Sequence, residues 1–346
     1  MLTENQQTEA SMPLKSPRRR LFPRPALRPI WVALLLLVLL CLIIAPTTLS
    51  IVSLRSMLPF ASFLAIAAVG QALVIGQGGF DFSVAGIITM SAVLVTHASG
   101  SENAGLPAGM LIALAAALTA GFVNGVVVTR LNITPLVATL ATNAILIGVV
   151  LNVSDSVPVP APKALSDFTL SSTLAVPNTV WMAIVFVALF SVVVRKTVPG
   201  RRMVLTGTNP RAARVVGVRV NAYIIGTYVV AGFCYWAAGL CLAGYVGNPG
   251  RNTGDPYIML TITAVVLGGA ALSGGRVSLL RTAVASVFLI QTNQLIISLG
   301  ASTGVQYLVQ AAVVAFAVLA GARGLHLPRS LARTRNAPTT SRTALP

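Results

Sequence analysis

The stretch MLPFASFLAIAAVGQALVIGQGGFDFSVAGIITMSAVLVTHA, residues 57–98, decides the fold of this chain. Asp81 is its one charged residue, and the run is twice the length of about 20 apolar residues that a helix needs to cross a bilayer. Gly76-Gln77-Gly78-Gly79 interrupts it, so it reads as two membrane helices joined by a tight turn. Working outward, further apolar stretches predict helices over 30–50, 107–129, 134–152, a sixth ending at Arg195-Lys196, and then 222–246, 257–272, about 279–298 and 304–322. The class is an all-α integral membrane protein of about ten transmembrane helices. With 55% hydrophobic and 9% charged residues, the chain lies far from soluble domains, in which about 25% of residues are charged.

The charges give an orientation. If the N-terminus is cytoplasmic and the chain crosses ten times, the inner segments hold 21 of the 24 cations. These are six in the basic tail 1–29, Arg130, seven in residues 195–219, Arg276, Arg281 and five in a basic tail 323–346. Only Arg55, Lys163 and Arg251 fall outside, together with the acids Glu102, Asp155, Asp167 and Asp255. This is the positive-inside pattern, with both termini cytoplasmic and residues 30–322 forming one transmembrane domain. The net charge of +17 therefore belongs to loops and tails beside a membrane, where it meets lipid head groups, and does not indicate nucleic-acid binding. The run 30–45 ends without a small-x-small cleavage site, so it reads as an uncleaved first helix.

The chemistry that is missing narrows the function. Cys41, Cys234 and Cys241 all lie in apolar runs and read as packing residues, with neither a disulfide framework nor metal-ligand spacing. No G-x-x-x-x-G-K-[ST] occurs, so the chain itself does not hydrolyse ATP at a P-loop. No nucleophile–base constellation suggests an enzyme. What remains is movement of a solute across a membrane.

Two segments carry that reading. Asp81 is the only carboxylate in the apolar body, and an intramembrane acid must be paired, capped or wetted. After the helix break at Gly78-Gly79, Asp81 or Ser83 is placed to accept a hydrogen bond from the first free N–H groups of the next helix. A lining role in a solute path is the competing reading. In the basic segment, Asn209 is a good N-cap and Pro210 suits the first helical position, so a short helix is expected there. Ala212 and Ala213 would offer close approach to a partner, with Arg211 and Arg214 at the rim; the competing reading, which the residues alone favour, is an ordinary amphipathic loop helix at the lipid surface. Asn124 and other amides in the spans serve either as interhelical hydrogen-bonding groups or as path-lining groups.

Five segments, in order, resemble the ribose-type ABC transporter permease family. Gly78-Gly79-Phe80-Asp81-Phe82-Ser83-Val84 is similar to its G-G-I-D-L-S-V, with Phe80 and Phe82 in place of Ile and Leu. Gly121-Phe122-Val123-Asn124-Gly125 is similar to G-x-x-N-G, and the segment Ile133 to Leu140 to I-x-P-F-I-x-T-L, with Leu136 in place of Phe. The segment Gly207 to Val218 resembles G-x-N-x-x-A-A-x-x-x-G-I, and Ala264 to Gly275 resembles A-x-x-L-G-G-x-x-L-x-G-G. The resemblance implies a permease subunit in the bacterial cytoplasmic (inner) membrane that imports a sugar such as ribose or a related polyol. It implies a separate ATP-binding cassette ATPase carrying ATP and Mg, a periplasmic or lipid-anchored sugar-binding protein, and a second permease copy. It makes Gly207, Asn209, Pro210, Arg211, Ala212, Ala213, Arg214 and Gly217 the coupling helix to the ATPase. Gly78, Gly79, Asp81, Ser83, Asn124, Gly268 and Gly269 become candidates for the translocation path. An ion-coupled secondary transporter, with Asp81 as its ion site, is the alternative.

Overall fold

The structure, a computed structural model, describes residues 29–323. The expected tails 1–29 and 323–346 lie outside the described residues, save for Pro29 and Arg323.

Helix α1 (Pro29–Ile44) stops short of the expected residue 50 because Pro46 lacks an N–H and disfavours helical geometry at Ala45. A 3-10 turn over Pro46–Leu49 follows. Ser50 then opens α2 (Ile51–Gly76), its hydroxyl accepting from the Ser53 N–H at 3.2 Å. This early start draws Arg55 into the first turns of α2. Next come α3 (Val84–Ser99), α4 (Leu106–Arg130) and α5 (Pro135–Ser154), the last two with proline in the first turn, where no N–H is needed.

The polar stretch after α5 folds into α6 (Lys163–Leu170) and a small antiparallel hairpin, Ser172–Thr173 with Val176–Pro177. After α7 (Asn178–Lys196), the basic segment is nearly all helical, as α8 (Val198–Thr208) and α9 (Pro210–Val215). The chain ends with α10 (Val220–Val246), α11 (Tyr257–Leu267), α12 (Leu279–Ser298) and α13 (Thr303–Arg323). Among the described residues, six helices (α2, α4, α5, α7, α10, α12) are long and apolar enough to cross a membrane, and α1, α3 and α11 are shorter apolar helices.

Helix α2 is the axis of the bundle. Every residue from Ala61 to Gly76 is buried, surrounded by α7, α10, α11 and α12. Helix α10 is the second axis, packed on α2, α3 and α4. In lipid, association relies on close packing, because apolar burial gives no advantage over lipid tails. The α4–α10 seam follows that rule. Ala117, Gly121 and Gly125 repeat every four residues, and a Cβ at Gly121 or Gly125 would strike the α10 backbone at Tyr228 or Ile225. Leucine, isoleucine and phenylalanine side chains of α1, α4 and α5 point outward, as Leu36, Phe122 and Ile145 do, which suits contact with lipid.

The bundle has two distinct ends. One carries Gly76, Arg130, Arg195-Lys196 and α8–α9 and is strongly basic; the other carries Ser99, Leu106, Ser154 and Val246. Helix α11 does not extend from end to end. It is 11 residues long, about 16 Å at 1.5 Å per residue, roughly half of the ~30 Å hydrocarbon core. The expected helix 257–272 is thus shortened by Gly269, whose φ of +82° lets the Gly269 and Ala270 N–H groups fold back onto the Val266 and Val265 carbonyls. The segment before it, 247–256, was expected as a loop outside the spans. It dips into the bundle instead. The Gly254 N–H donates to Thr89 Oγ1 at 2.9 Å, and a Cβ at Gly254 would overlap the Ala85 carbonyl.

Candidate functional site

The turn between α2 and α3 is where the candidate residues meet. Helix α2 ends in a Schellman turn. The Gly78 N–H bonds to the Ile75 carbonyl at 2.9 Å and the Gly79 N–H to the Val74 carbonyl at 3.2 Å, with Gly78 at φ +79°. The chain then turns back into the bundle, and Asp81 is fully buried. Its Oδ1 accepts from the Ser83 N–H at 2.9 Å and from the Ser83 hydroxyl at 2.5 Å.

The hydrogen bonds continue across three helices. Asn124 of α4 donates through Nδ2 to Ser83 Oγ at 2.8 Å, and Thr142 of α5 donates to Asn124 Oδ1 at 2.6 Å. The Phe82 N–H donates to Thr139 Oγ1 at 3.0 Å, and the Gly86 N–H to Asn143 Oδ1 at 2.7 Å. On the other side of Asp81, the Tyr235 hydroxyl lies beside its carboxyl and donates to Gln71 Oε1 at 2.9 Å.

The expected cap therefore takes another form. Neither Asp81 nor Ser83 caps α3; Ser83 makes no cap bond, and an early free N–H of α3, that of Gly86, is satisfied by Asn143 from α5. Asp81 instead organises the turn that precedes the helix. Thr142, Tyr228 and Tyr235 were not legible as members of this cluster. The Tyr228 hydroxyl reaches the Phe80 carbonyl at 3.4 Å and occupies the space that a side chain at Gly79 would need. Gly268 and Gly269 lie apart from the cluster, against Thr282 and Arg281 of α12.

A second convergence joins the basic end to this turn. A Cβ at Gly207 would overlap the Gly76 carbonyl, and one at Gly274 would crowd the Gly207 carbonyl and the Gly78 N–H. The Gly275 N–H donates to the Gly76 carbonyl at 2.8 Å, and Gln77 Nε2 donates to the Met203 carbonyl at 3.1 Å. Three glycine-bearing segments are locked backbone to backbone, one turn of chain away from Asp81.

Beyond this lock, α9 forms as expected. Asn209 Oδ1 accepts from the Ala212 N–H at 3.0 Å, and Pro210 is the first helical residue. One expectation is corrected. Ala213 is fully buried against the chain itself, so it is not offered to a partner. The exposed surface is made by Arg211, Arg214, Val215 and Val216, the two valines being 86% and 67% exposed.

A polytopic helical bundle with a half-length helix, a glycine-locked central turn and polar groups satisfied between helices has the build of a membrane transport protein. Residues 53–318 match the family described as branched-chain amino acid transport system / permease component, and the chain belongs to that family. It is 33% identical over 315 residues to the galactofuranose transporter permease protein of Escherichia coli (strain K12), covering 88% of this chain and 92% of the relative. It is 32% identical over 295 residues to the ribose import permease protein of the same strain, covering 83% and 91%. To that strain's galactose/methyl galactoside import permease protein it is 28% identical over 308 residues, covering 84% and 92%. No solved structure matches the chain. The chain is thus a multi-pass membrane permease and not an enzyme.

Proposed function

We propose that this chain is the membrane-spanning permease subunit of an ATP-binding cassette importer that carries a sugar, a ribose-like monosaccharide or related polyol, across the bacterial inner membrane. The observation that carries the reading is the basic end. Helix α9 presents Arg211, Arg214, Val215 and Val216 outward, while its neighbour α8 is locked at Gly207 to the end of the central helix. A displacement of α9 would therefore reach the turn at Asp81 directly. The relatives named for ribose import, galactofuranose transport and galactose/methyl galactoside import supply the solute class.

In this reading α1 to α5, α7 and α10 to α13 make ten crossings, with the inset segment 247–256 and α11 sharing one, and both termini are cytoplasmic. Two copies form one path, ATP and Mg sit on the partner ATPase, and a sugar-binding protein delivers solute from the other side. Gly78, Gly79, Asp81, Ser83 and Asn124 shape the gating region of the path. Asp81 is also the sole residue on which the ion-coupled alternative rests. A pull-down of tagged permease from gently solubilised membranes tests the proposal, with Val215→Glu as the comparison. The expected result is a P-loop ATPase with the wild type and none with the folded variant. An intact wild type that brings down no ATPase would replace this reading with the ion-coupled one.

A further inference from the structure

The inset segment between α10 and α11 has a property that its sequence hides. Gly254 is seated on Ala85 and Thr89 of α3, about 15 to 20 Å below the end of α3 at Ser99, taking 1.5 Å per residue. Helix α10 gives a consistent depth. Gly239 packs on Ile88 and Ser91 of the same α3 turns, about 10 Å below Val246. Residues 250–255 therefore stand near the middle of the bundle, one turn of α3 above Asp81.

Yet Arg251, Asn252 and Asp255 are exposed in the single chain. Arg251 is close enough to Asp255 for its charge to act on the carboxyl. A guanidinium, a carboxylate and non-helical backbone are not tolerated against hydrocarbon at this depth. They occur there only where they line water or are covered by protein. Broken segments that precede a half-length helix at mid-membrane are also where solute sites of transporters are built.

We infer that Arg251, Asn252 and Asp255 line the aqueous path at mid-depth and form the hydrogen-bonding site for the hydroxyl groups of a neutral, polyol-type solute. The chemistry is matched to that class. The guanidinium and the Asn252 amide donate, and that amide and the carboxylate accept, so a ring of hydroxyls finds both kinds of partner. The opposed charges of Arg251 and Asp255 leave the site without the net charge that would select an ion. Gly254 is required by the seat on Ala85, and the Thr89 hydroxyl accepts its N–H, so the segment is held on α3. The solute class rests on the importer reading; the aqueous exposure does not.

The experiment is made in whole membranes with Asn252→Cys and Asp255→Cys permeases. Cys41, Cys234 and Cys241 are all buried, so the background is low. A charged, membrane-impermeant methanethiosulfonate is added from the side that carries Glu102, with Glu102→Cys as the surface control. Both inset cysteines are expected to react, and ribose, galactose or galactofuranose delivered by the binding protein is expected to slow them. Reaction of Glu102→Cys with no reaction at 252 and 255 would overturn the aqueous path. Sugar uptake by Arg251→Gln and Asp255→Asn is then measured; each is expected to fall about tenfold or more, the loss of one or two hydrogen bonds to solute, with ATPase capture unchanged. Unchanged uptake would overturn the site. Because labelling needs no ATPase, failure of the importer reading and failure of this inference are read separately.

Discussion

Asp81 is buried and hydrogen-bonded, as a carboxylate in the apolar body must be, but its bonds go to the turn before α3 and not to the first free N–H groups of that helix. Its Oδ1 does the visible work, accepting from both polar hydrogens of Ser83, which in turn accepts from Asn124. An amide retains that acceptor and a leucine does not. Asp81→Asn is therefore expected to keep the bundle's thermal stability in detergent and to leave sugar uptake within a few-fold of wild type, which an ion-coupled carrier would not do. Asp81→Leu is expected to lower stability by about 1–3 kcal/mol, the cost of orphaned buried partners. A thermal melt in which Leu and Asn are equal would show that the network contributes nothing. At the basic end, the same logic separates two neighbours on α9. Ala213→Glu forces a charge into a fully buried site and is expected to give a permease that is not recovered folded, whereas Val215→Glu changes an exposed side chain and is expected to fold normally. Gel filtration of the two variants checks this. The sequence could not tell these positions apart, because a six-residue helix has too few turns to reveal which face it buries.

At the scale of elements, the breaks were legible and the depths were not. Gly78-Gly79, Pro135 and Asn209-Pro210 each mark a boundary through a property of their own backbone, and each boundary lies where that property puts it; Pro46 ends α1 in the same way, inside a helix expected to reach residue 50. Nothing local tells that α11 is half a span or that 247–256 dips, since apolar residues continue past Gly269 and the dip is set by a seat on α3. Likewise the pattern around Asn124 could not name its partners, Ser83 and Thr142, which come from two other helices. The lock between α8, the end of α2 and residues 274–275 is the element-scale feature with the clearest mechanical consequence. Gly207→Ala inserts a methyl where the Gly76 carbonyl sits, an overpacking that costs about 1–3 kcal/mol. It is expected to preserve capture of the ATPase through α9 but to lower the stimulation of ATP hydrolysis by the loaded binding protein. Gln77→Leu removes only the bond to the Met203 carbonyl and serves as the milder companion. Full stimulation in both variants, with the permease folded, would mean that motion passes through α7 and α10 instead.

At the scale of the whole molecule, the distribution of charge decides which way the machine faces. The bundle gathers Arg130, Arg195, Lys196 and the cations of α8 and α9 at one end, and places Glu102, Asp155 and Asp167 toward the other. Cations near span ends resist translocation, so that basic end is expected in the cytoplasm, where ATP is available to a partner docked on α9. This can be measured independently of transport. Alkaline phosphatase fused after Asn103 or Leu174 is expected to be active, because each point lies at the end opposite the basic one. Fusions after Asn132 or Thr208 are expected to be inactive. The reverse pattern would put Val215 and Val216 on the outside, beyond the reach of any cytoplasmic ATPase, and would remove the importer reading at once. A mixed pattern confined to fusions after Asn252 would instead bear on the inset segment, since truncation there removes α11 and with it the crossing that the two halves share. The orientation is therefore the first property on which the coupling surface at α9 and the solute site at Arg251 and Asp255 must agree. Only with the basic end inside does α9 face the compartment that holds ATP while the inset segment opens toward the side from which solute is delivered.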